Sequence, residues 1–461
     1  MKAKLTGREE QALAVKPTNN PEAYDAYLRG LAFEARTIRQ PDLRREAVGF
    51  YEQAVQLDPN FALAWARLSR AQARLYTDHE DTTPPTRRDA AKSALENAQR
   101  LEPNSPETLL ALGYYQYWVL GDYGLAKTTF KELSKLLPGN SEIPAALGHI
   151  TQGGGHVDES ISYFEQGLAL DPRNMDLLVG AAVTYAMLRQ FPVAIKLYDR
   201  ALDVLPNDPE LMALKATMYQ AEGNLQEAAK LLIDVNERTT SGIAFGTKLG
   251  QLRLERNHAE AIRLLEARRA QVPSAFDSVD LLHLAFAQRF VGDTAGAKVT
   301  AEQARNKLEP LCKEQPDNPD LEVQLALADA VLGKRDSALR EAERTIMAAR
   351  IYPPVGRTAD DGASEDGGIE RRKALALDDN LLSASKDLVC GGTGYEEILA
   401  VIQTVFGENS RAISTLTRLL KATCDFTGPA SVTPALLRLD PLWDPLRADP
   451  AFQKLCEEKQ P

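Results

Sequence analysis

The spacing of prolines constrains this chain more than any other feature. Pro103, Pro138, Pro172 and Pro206 follow one another at intervals of 35, 34 and 34 residues. Pro59 lies 44 residues before the first of them, and Pro273 lies 67 after the last, close to two further periods. A proline cannot donate a backbone hydrogen bond and clashes with the preceding turn, so each one ends a helix. Twelve residues before these prolines stands a small residue: Ala47, Ala91, Ala126, Ser160, Ala194 and Ala261. Eight before them stands a large one: Tyr51, Leu95, Phe130, Phe164, Tyr198 and Leu265. Four positions apart, the two share one helix face, where the small residue admits a neighbouring helix and the large one fills the space between units. Five residues ahead of the small position a glycine recurs, at Gly121, Gly155, Gly223, Gly292, Gly333 and Gly407. It is placed to end a preceding helix, because glycine adopts the left-handed backbone most cheaply. The unit is therefore a pair of helices, repeated.

A 34-residue helical pair with this order of small, aromatic and proline positions resembles the tetratricopeptide repeat. The clearest unit runs from Met175 to Pro206, with Leu178, Ala181, Ala182, Tyr185, Ala194, Tyr198, Ala201 and Pro206 on signature positions. The unit before it keeps Leu147, Gly148, Phe164 and Pro172 but has Pro144 where a large first-helix residue is usual. The unit beginning at Ala62 carries Trp65 and Leu68, then an insertion over Asp78–Pro85. The resemblance implies an all-α, right-handed superhelical solenoid of about ten helical hairpins with a C-terminal capping helix. Hairpins are expected near 21–59, 60–103, 104–138, 139–172, 173–206, 207–240, 241–274, 277–312, 317–350 and 395–423. Residues 1–20 read as a partly ordered N-terminal segment, 21–351 as the solenoid, and 352–394 as an irregular acidic loop with a short helix over Asn380–Val389. Residues 395–461 read as a final hairpin and a cap, whose Trp443-containing end would cover the last apolar face, as a terminal repeat must.

Hydrophobic residues make up 44% of the 461-residue chain and charged ones 26%, enough for both a core and solubility. The net charge of −11 argues against nucleic acid and against an anionic membrane surface as partners. No apolar stretch reaches the ~18 residues of a membrane span. Without an apolar leader after Met1, a soluble, cytoplasmic protein is expected, or a periplasmic one if it belongs to a longer membrane-anchored chain. The four cysteines, Cys312, Cys390, Cys424 and Cys456, are nowhere closer than 32 residues, so neither a zinc site nor a disulfide framework is indicated.

The chemical candidates are weak. His79, His149, His156, His258 and His283 form no metal-ligand pair at helical spacing. Gly153-Gly154-Gly155 lacks the Lys-Ser/Thr ending of a phosphate loop and reads as an inter-helix turn. Gly391-Gly392-Thr393-Gly394 before a helix could take an anion, but a capping loop fits it better. The acidic run at 360–368 lacks the twelfth-position glutamate of a calcium loop. No catalytic residue, cofactor or metal is assigned.

The resemblance places a partner against the first helices of successive hairpins, which line the concave side. Carried over unit by unit, the groove positions are Arg70, then Glu107, Leu110, Tyr114 and Tyr117. Next come Glu142, His149 and Gln152, then Asp176, Val179 and Val183, and finally Glu210, Thr217 and Gln220. Tyr114 and Tyr117 are the best anchors, or else they pack against the neighbouring hairpin. The Lys/Asn/Lys/Arg clamp of the chaperone-binding members is missing from these positions. A peptide with basic and apolar residues is the expected occupant, and the expected function is a non-catalytic scaffold for a protein partner; the oligomeric state is left open. A second resemblance joins Leu5–Gly30 and Leu436–Phe452 to the ends of repeat regions in bacterial multidomain regulators with TolB-like domains. It implies a sensory or regulatory role, acting on an effector outside this chain.

Overall fold

The computed structural model describes residues 17–34, 41–77, 84–272, 277–315, 318–351, 393–421 and 432–457. The acidic loop and short helix expected between 352 and 392, the segment 1–16 and His79 lie outside the described residues. Every described element is helical or a turn, as the all-α solenoid requires. The contacts divide the chain into two compact units, one over the described residues up to Gly154 and one from Gly155 onward.

The first unit holds α1 (Pro21–Glu34), α2 (Pro41–Leu57), α3 (Ala62–Thr77), α4 (Pro84–Leu101), α5 (Pro106–Tyr114), α6 (Tyr123–Leu136) and α7 (Glu142–Gly153). The second holds α8 (Val157–Leu170), α9 (Met175–Met187), α10 (Phe191–Val204), α11 (Pro209–Glu222), α12 (Leu225–Leu231), α13 (Gly242–Leu254) and α14 (His258–Gln271). It continues with α15 (Ser278–Phe290), α16 (Thr294–Glu314), α17 (Pro319–Leu332), α18 (Arg335–Ile351), α19 (Thr393–Val405) and α20 (Asn409–Lys421). A C-terminal segment follows: α21 (Pro434–Leu439), a 3₁₀ turn over Pro441–Leu446, and α22 (Pro450–Glu457).

The punctuation acts as its chemistry demands. Helices α2, α4, α6, α8 and α10 each end two residues before a proline, at Leu57, Leu101, Leu136, Leu170 and Val204. The residue preceding a proline is pushed out of the helical region, so the last helical position falls one residue earlier still. First helices are opened by side-chain caps, such as Ser105 accepting from the Thr108 amide and Asn174 from the Leu177 amide. Pro144 sits in the first turn of α7, where its missing N–H would have had no intrahelical partner. The large residues of the repeat are buried in the core, and Tyr51, Phe130, Phe164 and Leu265 are each 0% exposed. The six turn glycines hold φ between 67° and 83°, the left-handed region for which glycine is suited.

Three features depart from the regular period. Helix α5 runs into a π-helical turn over Tyr115–Val119. Helix α12 has only 7 residues. It gives way to a loop in which the Asn236 amide donates to Thr239 Oγ1 and the Arg238 amide to Asn236 Oδ1, both at 3.0 Å. No proline stands at the period's end there, and the buried Arg268 holds the loop instead, donating to the Thr239 carbonyl at 2.8 Å. Helix α16 extends 21 residues through Pro310.

Candidate partner-binding faces

In the first unit the first helices α3, α5 and α7 bring several of the expected groove residues together. Arg70 on α3 is 7% exposed. Its guanidinium pairs with Glu142 on α7 and lies 4.7 Å over the Tyr114 ring on α5. Tyr114 is itself buried, stacked on Trp118 at 4.2 Å and edge-on to Phe130 at 5.1 Å. Packing within its own hairpin and under Arg70 of the preceding one therefore takes up Tyr114, and Glu142 is engaged by an arginine of its own unit. Leu110 is in the core. Tyr117 is half-buried, 6.0 Å from Trp118 and 5.5 Å from Tyr123. Glu107, His149 and Gln152 are half-buried.

Two participants were missed in the sequence: Trp118, and Arg74, whose guanidinium lies 5.1 Å over the Trp118 ring. Arg70 and Arg74 stand one helical turn apart on α3, facing Tyr114 at the end of α5 and Trp118 in the π-helical turn that continues it. Each pair is a cation above an aromatic face. That stepping of four in two consecutive first helices was a readable signal. The π-helical turn was not. It lets the Leu120 amide donate to the Tyr115 carbonyl at 3.1 Å and the Asp122 amide to the Gln116 carbonyl at 2.9 Å. Tyr123 meets α7 only because residue 153 is glycine, since a Cβ there would lie 2.8 Å from the Tyr123 hydroxyl. Arg74 is exposed and Tyr117, Trp118 and Tyr123 are half-buried, so this edge presents aromatic faces and one cation to solvent.

In the second unit the expected residues are more dispersed. Asp176 is exposed, Val183 half-buried and Val179 buried. Glu210 accepts from the Ser241 hydroxyl at 2.9 Å. Thr217 donates to the Ala213 carbonyl of its own helix at 3.0 Å. Gln220 donates to the Thr247 carbonyl at 3.2 Å and to Gln251 Oε1 at 2.9 Å, joining α11 to α13.

The C-terminal segment shapes this unit further. Trp443, Leu446, Phe452 and Leu455 share a core with Val401, Leu416 and Leu419 of the last hairpin, and Phe286 of α15 and Leu327 of α17 pack against it. The segment also reaches much earlier hairpins. Thr433 donates to the Ala221 carbonyl at 2.8 Å, and Arg253 pairs with Asp440 at 3.0 Å. Nearby, burial pushes the Glu397 carboxyl up to about 7, Arg253 opposing the shift and Asp440 reinforcing it. Burial pushes His283 down to about 4. Among the described residues no three His, Cys, Asp or Glu side chains converge as a metal site would need. No described helix is long and apolar enough to cross a membrane.

Residues 152–218 match the model of the tetratricopeptide repeat family. Among solved structures, a tetratricopeptide repeat protein from Parabacteroides merdae is 18% identical, with 59% of this chain and 99% of that one covered at a TM-score of 0.42. Pseudomonas aeruginosa pilF is 19% identical, covering 50% of this chain and 97% of its own at 0.34. The human IFIT1 dimer with PPP-AAAA is 15% identical, covering 88% of this chain and 95% of its own at 0.39. The family match over 152–218, with one turn geometry recurring from Gly121 to Gly407, supports the tetratricopeptide repeat reading of these hairpins.

Proposed function

We propose that this chain is a non-catalytic scaffold that holds a segment of another protein on the faces of its first helices. The aromatic edge of the first unit carries the reading: Tyr117, Trp118 and Tyr123 in a row, with Arg74 over Trp118. Aromatic side chains offer large apolar area at small entropic cost, and arginine beside them adds directional polar contacts. Because Glu142 and Glu210 are engaged within the chain, the pull on a basic peptide is weaker than the bare sequence implies. An apolar or aromatic anchor in the partner fits this edge better.

A display library of peptides screened on wild-type protein and on Tyr117→Ala/Trp118→Ala, with helicity checked by circular dichroism, tests the assignment. Binders should lose at least tenfold in affinity on the variant; binders that keep it would remove this edge as the site. The regulator-like termini support a second reading, in which the repeats sense or regulate for an effector domain outside this chain. Its one structural support is that Leu436–Phe452, half of that resemblance, is folded onto the repeats.

A further inference from the structure

Among the described residues, eight hairpin turns place a left-handed residue five positions before the small residue of the second helix. Six use glycine; the other two use Arg189 and Arg256, at φ 59° and 58°. A left-handed backbone is strained for a residue with a Cβ, so an arginine there calls for a compensating contact. Both have one on residues 432–446, and Arg189 reaches α20 as well. Arg189 is 7% exposed and donates to the carbonyls of Val432 at 2.8 Å and Leu419 at 3.1 Å. Arg256 grips Asp444 through two hydrogen bonds of 2.7 Å. The turn between them keeps its glycine at φ 81°, and the segment packs close on it: a Cβ at Gly223 would meet Ala435 Cβ at 3.2 Å. Arg253, one turn from Arg256, holds Asp440.

We propose that the turn surface of these three consecutive hairpins is a docking site for a short apolar segment carrying two spaced carboxylates, and that residues 432–446 occupy it in cis as an exchangeable ligand. Its specificity is written in charge and spacing. Two carboxylates four residues apart meet two arginines, and a bidentate guanidinium–carboxylate pair is geometrically selective. The occupant supplies its own preorganisation: Asp440 accepts from the Leu442 amide at 3.0 Å, and prolines at 434, 441 and 445 limit the backbone. A partner of the same chemistry, apolar and proline-bounded with two spaced carboxylates, would compete for the site. This site is independent of the aromatic edge of the first unit.

The test uses the full chain with Asp440→Asn/Asp444→Asn, which keeps size and capping but removes both charges, and a labelled synthetic peptide of residues 432–457. Amides of 432–446 should exchange at least tenfold faster in the variant. The peptide should bind the variant at least tenfold tighter than wild type, whose site is filled. Arg189→Gly/Arg256→Gly, which relieves both strained turns, should bind the peptide no better than wild type while its own tail exchanges faster. Undiminished tail protection in either variant, or peptide binding equal in wild type and the Asn variant, would overturn the proposal.

Discussion

Arg268 and Asp280 face each other at 3.0 Å, 5% and 6% exposed. The same guanidinium lies 4.2 Å over Phe245. Removing one partner strands the other charge, so Arg268→Ala should cost about 3–5 kcal/mol in urea denaturation. A loss below about 1 kcal/mol would mean that the pair is not needed. Glu397 predicts a pH effect of definite sign. Folded, its carboxyl titrates at about 7; unfolded, at its ordinary 4.5. Between those values the unfolded chain has released a proton that the folded chain keeps, so this contribution is full below 4.5 and lost as pH rises through 7. Asp280, raised to about 6, acts in the same direction, and His283, lowered to about 4, acts in the opposite one. Glu397→Gln should therefore reduce the fall in stability between pH 5 and pH 8 by roughly 1–3 kcal/mol. An unchanged pH profile in the variant would refute the shift.

Single elements show where the repeat tolerates no extra atom. Gly113 on α5 faces the Phe130 ring of α6, and a Cβ there would stand 2.9 Å from it. Phe130 is wholly buried and edge-on to Tyr114, so the ring has no free space to turn into. Gly113→Ala gains helix propensity but should still lower stability by about 1–3 kcal/mol, read as a thermal shift, and should disturb the Tyr114–Trp118 stack by near-ultraviolet circular dichroism. Gly49, with nothing near it, is the control, and Gly49→Ala should be neutral or stabilising. Helix ends were legible in the sequence because proline and the left-handed turn are local backbone restrictions. The π-helical turn over Tyr115–Val119 and the short α12 were not, since packing against neighbouring helices sets both.

In a chain of stacked hairpins each unit touches its neighbours, and a substitution ordinarily acts close to where it is made. The C-terminal segment breaks that rule in the second unit by joining α20 to turns more than two hundred residues earlier. Trp443 is 2% exposed inside the shared core. Trp443→Ala should therefore quicken hydrogen exchange in α9, α11 and α13 as well as in α19 and α20; a change confined to the last hairpin would show the link to be idle. The sequence by itself determined the helical pair, its period, its turns and its buried face, because these rest on backbone chemistry within one unit. It pointed to the groove positions but not to their state. Tyr114 and Gln220 are consumed by packing, and Trp118 and Arg74 emerge beside them, because exposure depends on what the adjoining helix supplies. Only the tertiary structure decided that Arg189 and Arg256 spend a strained turn on a segment far along the chain, since no local rule relates residues so distant in sequence.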